Sequence, residues 1–252
     1  NGSLQRVVSK MRSTVISAVL LLLVPGFASE AFAGDYATLN VIGFSKDGRY
    51  LAFEEYGVQD GSGFPYSNIY FIDVEKNVFA SARVSVRLEN ESASEVAART
   101  RAASLAARQI KRLGIVKGNA GKLVVSHLLT DLTFDSSDDK PSIVKFAEDV
   151  GSMYRRGDHE LSLSQKPIRP KACELYEEDA MLLELSLKNR ENDSFKFLQK
   201  DLTLPAARGC AIDYRIQDVY LYKGSIVVFI GVFTRGFEGP DMRYMAVTGK
   251  LE

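Results

Sequence analysis

The sequence lacks tryptophan, has only two histidines and two cysteines, and carries no excess of either charge. Its 252 residues include 32 lysines and arginines against 32 aspartates and glutamates. A dedicated nucleic-acid-binding protein needs a basic excess to offset phosphate charge, so we expect no nucleic-acid partner. Two cysteines are also too few for a cysteine-rich zinc site, and we expect no bound metal.

What is present is the composition of a soluble globular protein. Hydrophobic residues make up 46% and charged residues 25% of the chain. These values argue against a disordered polymer and against a disulfide-dense miniprotein. No linker stands out after the first 33 residues. We therefore predict a single domain over residues 34–252.

The longest apolar run lies near the N-terminus, over residues 13–24. Met11 and a basic residue precede it, and the small residues of Ala31-Phe32-Ala33 follow it. This order is typical of a secretory signal peptide, whereas a membrane-spanning helix needs about 20 apolar residues. We interpret residues 1–33 as an upstream extension plus a signal peptide. We predict cleavage between Ala33 and Gly34, and no stable membrane span after cleavage.

Export predicts an oxidising compartment, secreted or periplasmic. Because such a compartment holds little ATP or NAD, we expect no cofactor. The only cysteines, Cys173 and Cys210, both lie in the exported part, and an even count there favours a disulfide between them. Two buried free thiols are the alternative, since the sequence does not show how closely the two residues approach.

Two similar hairpins are predicted near the ends of the exported part. Their four strands span residues 50–56, 67–74, 225–233 and 242–247. Phe53 and Phe229 each follow a turn glycine at the same spacing. Alternation along a strand places Leu51 and Phe53 on one face and Glu54 on the other. Because each hairpin has an apolar face that needs a partner, we predict that the hairpins lie in one sheet or in contact.

One helix is predicted over residues 93–113. Ser92 and Glu95 have the spacing of a capping box, and Gly114 is a typical C-terminal stop. At about 100° per residue, five apolar side chains fall within one arc. They are Val96, Ala103, Ala106, Ile110 and Leu113.

The opposite arc of this helix holds a stripe of arginines, Arg101, Arg108 and Arg112. One interpretation is a solvated helix face on which each arginine pairs with a local acid. The other is a contact with an anionic surface such as lipid headgroups. The sequence leaves both open.

The remaining exported sequence alternates short apolar runs with turn residues, which indicates further strands. They are expected within residues 123–134, 142–146, 159–164, 180–188, 195–198 and 213–221. The predicted fold class is therefore α+β, mostly antiparallel β-sheet with one long amphipathic helix over about residues 93–113.

Residues 43–53, Gly-Phe-Ser-Lys-Asp-Gly-Arg-Tyr-Leu-Ala-Phe, and residues 68–74, Asn-Ile-Tyr-Phe-Ile-Asp-Val, resemble a family of predicted secreted bacterial proteins of unknown function. The likeness runs across most of the exported part, including Arg-Gly-Cys-Ala at 208–211. It implies export and no particular chemistry. The first hairpin is also similar to one blade repeat of Tol-type periplasmic β-propellers. A propeller needs several such repeats, so this second likeness indicates a shared hairpin only.

The residues that most often carry catalysis do not form a recognisable set. His127 and His159 are the only histidines, and a metal site would need both of them plus a carboxylate. No Gly-x-Ser-x-Gly elbow accompanies them, and hydrogen-bonded structural histidines are the simpler interpretation. Glu54 and Glu55 are adjacent on a strand, so they point to opposite faces and do not form an acid–base pair with each other.

Two loops invite a ligand interpretation without meeting its requirements. Residues 135–139, Asp-Ser-Ser-Asp-Asp, offer oxygen ligands for Ca²⁺ but lack the spacing and glycine of an EF-hand loop. Residues 118–122, Gly-Asn-Ala-Gly-Lys, lack the spacing and the Ser or Thr of a phosphate loop. A solvated turn is the simpler interpretation of residues 135–139, and residues 118–122 are not expected to bind phosphate.

We therefore predict an exported cell-envelope protein, a binding or structural module rather than an enzyme. Its partner would be an envelope protein, peptide or glycan, recognised through sheet edges and exposed aromatic side chains. The alternative is an envelope hydrolase with a carboxylate or histidine–acid site that the sequence does not reveal. A cleft with several carboxylates or a histidine–acid pair would favour the hydrolase.

Overall fold

The computed structural model describes residues 34–129, 141–149, 156–174, 179–237 and 239–252. The predicted signal peptide and the acidic turn at 135–139 lie outside these residues. In chain order the strands and the helix are β1 (Thr38–Phe44), β2 (Tyr50–Val58), β3 (Pro65–Asp73), β4 (Val78–Phe79), β5 (Val84–Arg87), α1 (Glu95–Arg112), β6 (Lys122–Ser126), β7 (Ser142–Asp149), β8 (Arg156–Ile168), β9 (Ala180–Asn189), β10 (Phe195–Lys200), β11 (Ala211–Tyr222), β12 (Ser225–Arg235) and β13 (Pro240–Lys250).

These strands form three antiparallel sheets. The first sheet has the order β1-β2-β3-β4, with β5 pairing further along β3. The central sheet has the order β13-β12-β11-β6, and the third sheet has the order β10-β9-β8-β7. The sheet-dominated α+β class is thus as predicted, and the predicted strands at 50–56, 67–74, 225–233 and 242–247 lie within β2, β3, β12 and β13.

The sheets are stacked, with the central sheet buried on both faces. In β12, nine consecutive residues from Ser225 to Phe233 are buried. Val227 and Phe229 belong to a hydrophobic cluster shared with the first sheet, whereas Ile226 and Val228 belong to one shared with the third sheet. An almost continuous apolar run is what a strand covered on both faces requires. The layers therefore follow the order α1, first sheet, central sheet, third sheet.

The two predicted hairpins are in contact, face to face in adjacent sheets rather than side by side in one. The rings of Phe53 in β2 and Phe229 in β12 meet edge to face, with centroids 5.1 Å apart. Leu51 shares their cluster. The predicted contact between the hairpins is confirmed, and matched apolar faces are its cause because each excludes water from the other.

Helix α1 covers the outer face of the first sheet, but two details of its prediction were wrong. Ser94, not Ser92, is the N-cap, and its hydroxyl accepts a hydrogen bond from the Ala97 N–H at 3.1 Å. Ser92 instead donates its N–H to the side chain of Asn90 in the preceding turn. Both serines have capping chemistry, so local spacing alone does not choose between them.

The buried face of α1 is also rotated from the predicted arc. It consists of Ala98, Ala102, Ala106 and Ile110. Val96 and Ala103 are exposed, and Leu113 is half-buried. A row of alanines lets the helix axis lie close to the sheet, so small side chains take the contact and the larger Val96 stays at the rim.

Candidate functional site

Glu54 and Glu55 point to opposite faces of β2, as predicted, and they lie in different surroundings. Glu54 faces α1 and is buried. Its carboxylate accepts hydrogen bonds from Asn40 Nδ2 at 2.8 Å and from Ser67 Oγ at 2.9 Å. It also accepts from Arg99 of α1, with Nε at 3.1 Å and Nη2 at 3.0 Å. The carboxylate is thus fully satisfied by four donors.

Arg99 joins the helix to the sheet through this bidentate hydrogen bond to Glu54. Its side chain is 33% exposed, against 6% for Glu54. The guanidinium also lies over the ring of Tyr56, 3.7 Å from the ring centroid. The hydrogen bond to Glu54 raises the pKa of Arg99. Removing either partner would leave a poorly solvated charge.

This ion pair forms part of the wall of an open groove of about 480 Å³ between α1 and β1. Apolar side chains of the first sheet and the helix line it, among them Ile42, Ile69 and Val96. Lys117, just after the helix, adds a second cation. An apolar groove with a few polar groups is the usual form of a binding site.

The edge of β1 that borders this groove has unpaired backbone groups. The Tyr50 carbonyl accepts the Ser45 N–H on the side of β1, whereas the Arg49 carbonyl accepts the Val74 N–H on the opposite side. The even-numbered residues of β2 are therefore the ones that form hydrogen bonds with β1. Because bonding alternates along an antiparallel pair, Leu39 and Val41 turn their N–H and C=O groups away from β2.

Both ends of this free edge are closed by other segments. At the N-terminal end the Ala37 N–H donates to the Met242 carbonyl at 3.0 Å. At the C-terminal end the Gly118 N–H donates to the Ile42 carbonyl at 2.9 Å. Between them, the outward backbone groups of β1 have no hydrogen-bond partner within the described residues. The gap fits a few residues of an extended segment.

Glu55, by contrast, has a structural role between the first and central sheets. Its carboxylate accepts from the Tyr70 hydroxyl at 2.7 Å and from the Tyr244 backbone N–H at 2.8 Å. Tyr244 lies on β13, the edge strand of the central sheet, so Glu55 caps a donor that no strand pairs. Burial raises the pKa of Tyr70, and burial raises that of Tyr244 to about 12, so both hydroxyls remain protonated.

The two histidines lie in different sheets. His127 follows β6, and its Nδ1 is 2.8 Å from the Ile216 carbonyl oxygen. His159 lies in β8, almost fully buried, with Nε2 2.9 Å from Glu148 Oε1 and its ring stacked on Phe146. Both are hydrogen-bonded, as in the structural interpretation. The pair His159–Glu148 is a histidine–acid pair, but the imidazole is enclosed.

Asp218 is the acid nearest to a Ser-His-Asp set. It pairs in register with Ser126, next to His127. Burial raises the pKa of Asp218, against an opposing hydrogen bond from Ser126. Ser126 thus bonds Asp218 directly, and His127 Nδ1 lies against the Ile216 carbonyl oxygen, so these side chains do not form the serine–histidine–aspartate order of a hydrolase.

A second cavity, also about 480 Å³, lies beside residues 118–122. Its lining includes Lys122, Glu148 and Lys223. Residues 118–122 lead into strand β6 rather than into a helix, so no helix N-terminus is available to hold a phosphate. Within the described ranges, no group of three or more His, Cys, Asp or Glu side chains is placed to hold a metal ion.

Cys173 and Cys210 form a disulfide, with their Cα atoms 5.8 Å apart. The predicted bridge is therefore present, and the alternative of two free thiols is not. The bridge closes a segment that contains β9 and β10 of the third sheet. It lies far along the chain from the groove and has a stabilising role.

Sequence reasoning missed Arg99 and Lys117. A signal for Arg99 was available, because at about 100° per residue it falls inside the arc that was predicted to be apolar. A charged side chain within an apolar arc indicates a buried partner, here Glu54. Lys117 carries no comparable signal, since only the fold brings the segment after α1 to the edge of β1.

Comparison with known proteins agrees with the resemblance noted above. A family model described as "Predicted secreted protein (DUF2259)" matches residues 52–250. The chain belongs to this family. The matched part includes Glu54, Arg99 and both cysteines of this predicted secreted protein. No curated protein matches the chain. Among the described residues of this family member, no helix is long and apolar enough to cross a membrane.

Proposed function

We propose that the protein is an exported, periplasmic binding module that takes a short extended peptide segment with acidic side chains. The groove beside α1 is the observation that carries this proposal, because the free edge of β1 at Leu39 and Val41 meets a helix wall there. Strand addition at such an edge supplies main-chain hydrogen bonds, and the wall supplies side-chain contacts.

Val96 is the apolar side chain available to such a peptide. It is 67% exposed, at the rim of the groove formed by α1. Covering an exposed valine with an apolar ligand side chain contributes about 1–2 kcal/mol. Side chains alternate along an extended segment, so every second ligand residue would face this wall.

The charges of the groove favour an acidic ligand. Glu54 is the single acid among the described lining residues, and Arg99 neutralises it. Lys117 is then left to a ligand carboxylate, together with the exposed part of the Arg99 guanidinium. Charge complementarity of this kind gives specificity and a faster association rate.

The test uses two labelled hexapeptides, Ser-Val-Ser-Glu-Ser-Val and Ser-Val-Ser-Lys-Ser-Val, in which valine and the charged residue lie on the same face of the extended segment. Fluorescence anisotropy with the exported protein should show tighter binding of the glutamate peptide. Val96→Glu should weaken that binding about tenfold or more, and Lys117→Glu should invert the preference. Ile143→Glu, on the third sheet at 49% exposure, is the matched control and should change nothing.

Equal binding of the two peptides, or no effect of Val96→Glu, would overturn the peptide proposal. Hydrolysis of either peptide during the measurement would instead support the hydrolase alternative. Circular dichroism of each variant separates lost binding from lost folding.

The export part of the proposal has its own test. N-terminal sequencing of the protein from a periplasmic fraction should give Gly34 as the first residue. An intact Met11 in that fraction would contradict cleavage after Ala33 and with it the signal-peptide interpretation.

A further inference from the structure

One exposed side of α1 carries basic side chains that have no acidic partner among the described residues. Arg101, Arg108 and Arg112 are all exposed. None of them forms an ion pair with a described residue, and the helix holds a single acid, Glu95, in its first turn. The interpretation in which each arginine pairs with a local acid therefore does not describe this face.

The far face of the third sheet shows that such pairing is available elsewhere in the same molecule. Lys145 lies 3.7 Å from Glu160, and Lys188 lies 2.8 Å from Asp193. Each of these cations has an anion as its neighbour, so that face is close to neutral. The third sheet thus mixes charges of both signs, whereas the exposed arginines of α1 carry one sign.

Leu105 lies within the same row as the arginines. Positions 101, 105, 108 and 112 follow one another at helical spacing, so they form one line along the helix, which we call the arginine row. Leu105 is 56% exposed in the middle of that line. At about 1.5 Å per residue the row is roughly 16 Å long.

We propose that the arginine row docks the protein on an anionic phospholipid surface. Guanidinium groups bind phosphate with two parallel hydrogen bonds, and each basic side chain near an anionic bilayer contributes about 1 kcal/mol. Leu105 enters the headgroup region between them, as apolar side chains of interfacial helices do. All four side chains of the row are exposed, so one surface can contact them together.

A lipid surface fits this row better than an acidic protein does. The row is straight and carries one charge type, with an apolar side chain at its centre, so it offers no pattern of alternating charge that would select a folded partner. The groove proposed above lies on a different side of α1. The peptide proposal and the lipid proposal can therefore be tested independently.

Vesicle co-sedimentation of the exported protein tests the proposal. Vesicles of phosphatidylcholine alone should bind little protein, whereas vesicles with about one third phosphatidylglycerol should bind it, and binding should fall as salt rises. The triple variant Arg101→Gln/Arg108→Gln/Arg112→Gln should lose about tenfold or more in apparent affinity. Leu105→Ser should lose a few-fold at high salt, where the apolar contact remains.

The matched control is Lys145→Gln/Lys188→Gln/Lys200→Gln, which removes the same charge from acid-paired lysines of the third sheet and should bind vesicles like the parent protein. Equal binding of the parent to both vesicle types would overturn the proposal. Equal losses in the two triple variants would also overturn it, since net charge alone would then explain binding. Binding of soluble polyglutamate without binding of anionic vesicles would point to an acidic protein and reject the lipid.

Discussion

The two outer faces of the molecule differ in how their charged side chains are paired. On one side α1 covers the first sheet and presents arginines with no acidic partner among the described residues. On the other side the third sheet is bare and pairs its lysines with acids, such as Lys145 with Glu160. A face that neutralises itself needs nothing further from its surroundings. A face that keeps unpaired charge of one sign attracts anions.

The ion pairs of the two sides differ in the same way. Glu54 and Arg99 are held by two parallel hydrogen bonds in a half-closed groove. Lys145 and Glu160 are 57% and 25% exposed and lie 3.7 Å apart. Water therefore screens the second pair more than the first. The groove pair therefore fixes the position of α1, whereas the sheet pair mainly balances charge.

Loss of the disulfide should be the largest effect, and it should fall on the third-sheet side. Cys173 and Cys210 are separated by 37 residues. A loop of that length corresponds to roughly 3–4 kcal/mol of stability in the chain-entropy description. Denaturant unfolding of Cys173→Ala/Cys210→Ala should show that loss. Hydrogen exchange should accelerate first in β9 and β10.

Equal acceleration of exchange in α1 and in β9 would show that the bridge does not stabilise the third sheet more than the helix. A useful control is reduction of the parent protein, which should reproduce the effect of the double variant. An unchanged unfolding midpoint after either treatment would contradict a stabilising role for the bridge.

The next largest effect contrasts the two ion pairs. Glu54→Gln should cost about 2–3 kcal/mol, because it leaves Arg99 partly buried without its anion, and the partial exposure of Arg99 keeps the loss below that of a fully buried pair. Glu160→Gln should cost less than about 1 kcal/mol. Urea unfolding of both variants in the same buffer provides the comparison. Similar losses of stability in the two variants would show that the two ion pairs contribute equally.

Much of the fold could be predicted because its signals are local. Alternation in 50–56 and a β-rich apolar run in 225–233 identified the hairpin strands. Their apolar faces required a partner, which predicted the contact seen between Phe53 and Phe229. The stacking of three sheets was not predictable in this way. The stacking depends on which sheet faces are covered. In the sequence, that information is visible in the continuous apolar run of β12, which is buried on both faces.

The site was less predictable because it depends on long-range placement. Glu54 was recognised, but its partner Arg99 is 45 residues away. The choice between Ser92 and Ser94 as N-cap depended on how the chain enters the helix from the preceding turn. The free edge of β1 arises from pairing at Ala37 and Ile42 with distant segments. No local pattern contains that information.

A smaller effect concerns Asn77, which joins the layers. Its Oδ1 accepts from the Thr248 N–H at 2.9 Å, and its Nδ2 donates to the Leu198 carbonyl at 3.3 Å. One side chain from the first sheet thus bonds edge strands of the other two. Asn77→Gly should cost about 1–2 kcal/mol through these lost bonds.

Asn77→Ala should cost more than Asn77→Gly, since the residue has a left-handed φ of 53°. Thermal unfolding of the two variants separates the hydrogen bonds from the backbone preference. If alanine proved as stable as glycine, the backbone argument would fail. If both matched the parent protein, the bonds between layers would have no energetic weight.

The smallest expected effect is a gain in stability. Burial raises the pKa of Asp218, so the folded state is penalised for its charge at neutral pH. Asp218→Asn should raise Tm by about 1–2 °C near pH 7, a small value because solvent partly screens this side chain. As pH falls through the raised pKa, Asp218 takes up a proton and the gain should disappear.

The control is Asp193→Asn on the third-sheet side. There a hydrogen bond from Lys188 lowers the pKa of Asp193, so the folded state favours its charge. Its replacement should give no gain at any pH. Melting curves near pH 7 and near pH 4.5 cover the window. A gain from Asp218→Asn that persists at the lower pH would show that charge is not its cause.

The most direct test of the contrast between the two faces is covalent footprinting by mass spectrometry on anionic vesicles. Arginine-selective and lysine-selective reagents would be applied to the protein with and without vesicles containing phosphatidylglycerol. We expect vesicles to protect Arg101, Arg108 and Arg112 and to leave the labelling of Lys145 and Lys188 unchanged. Protection of those two lysines with free labelling of the arginines would contradict the account.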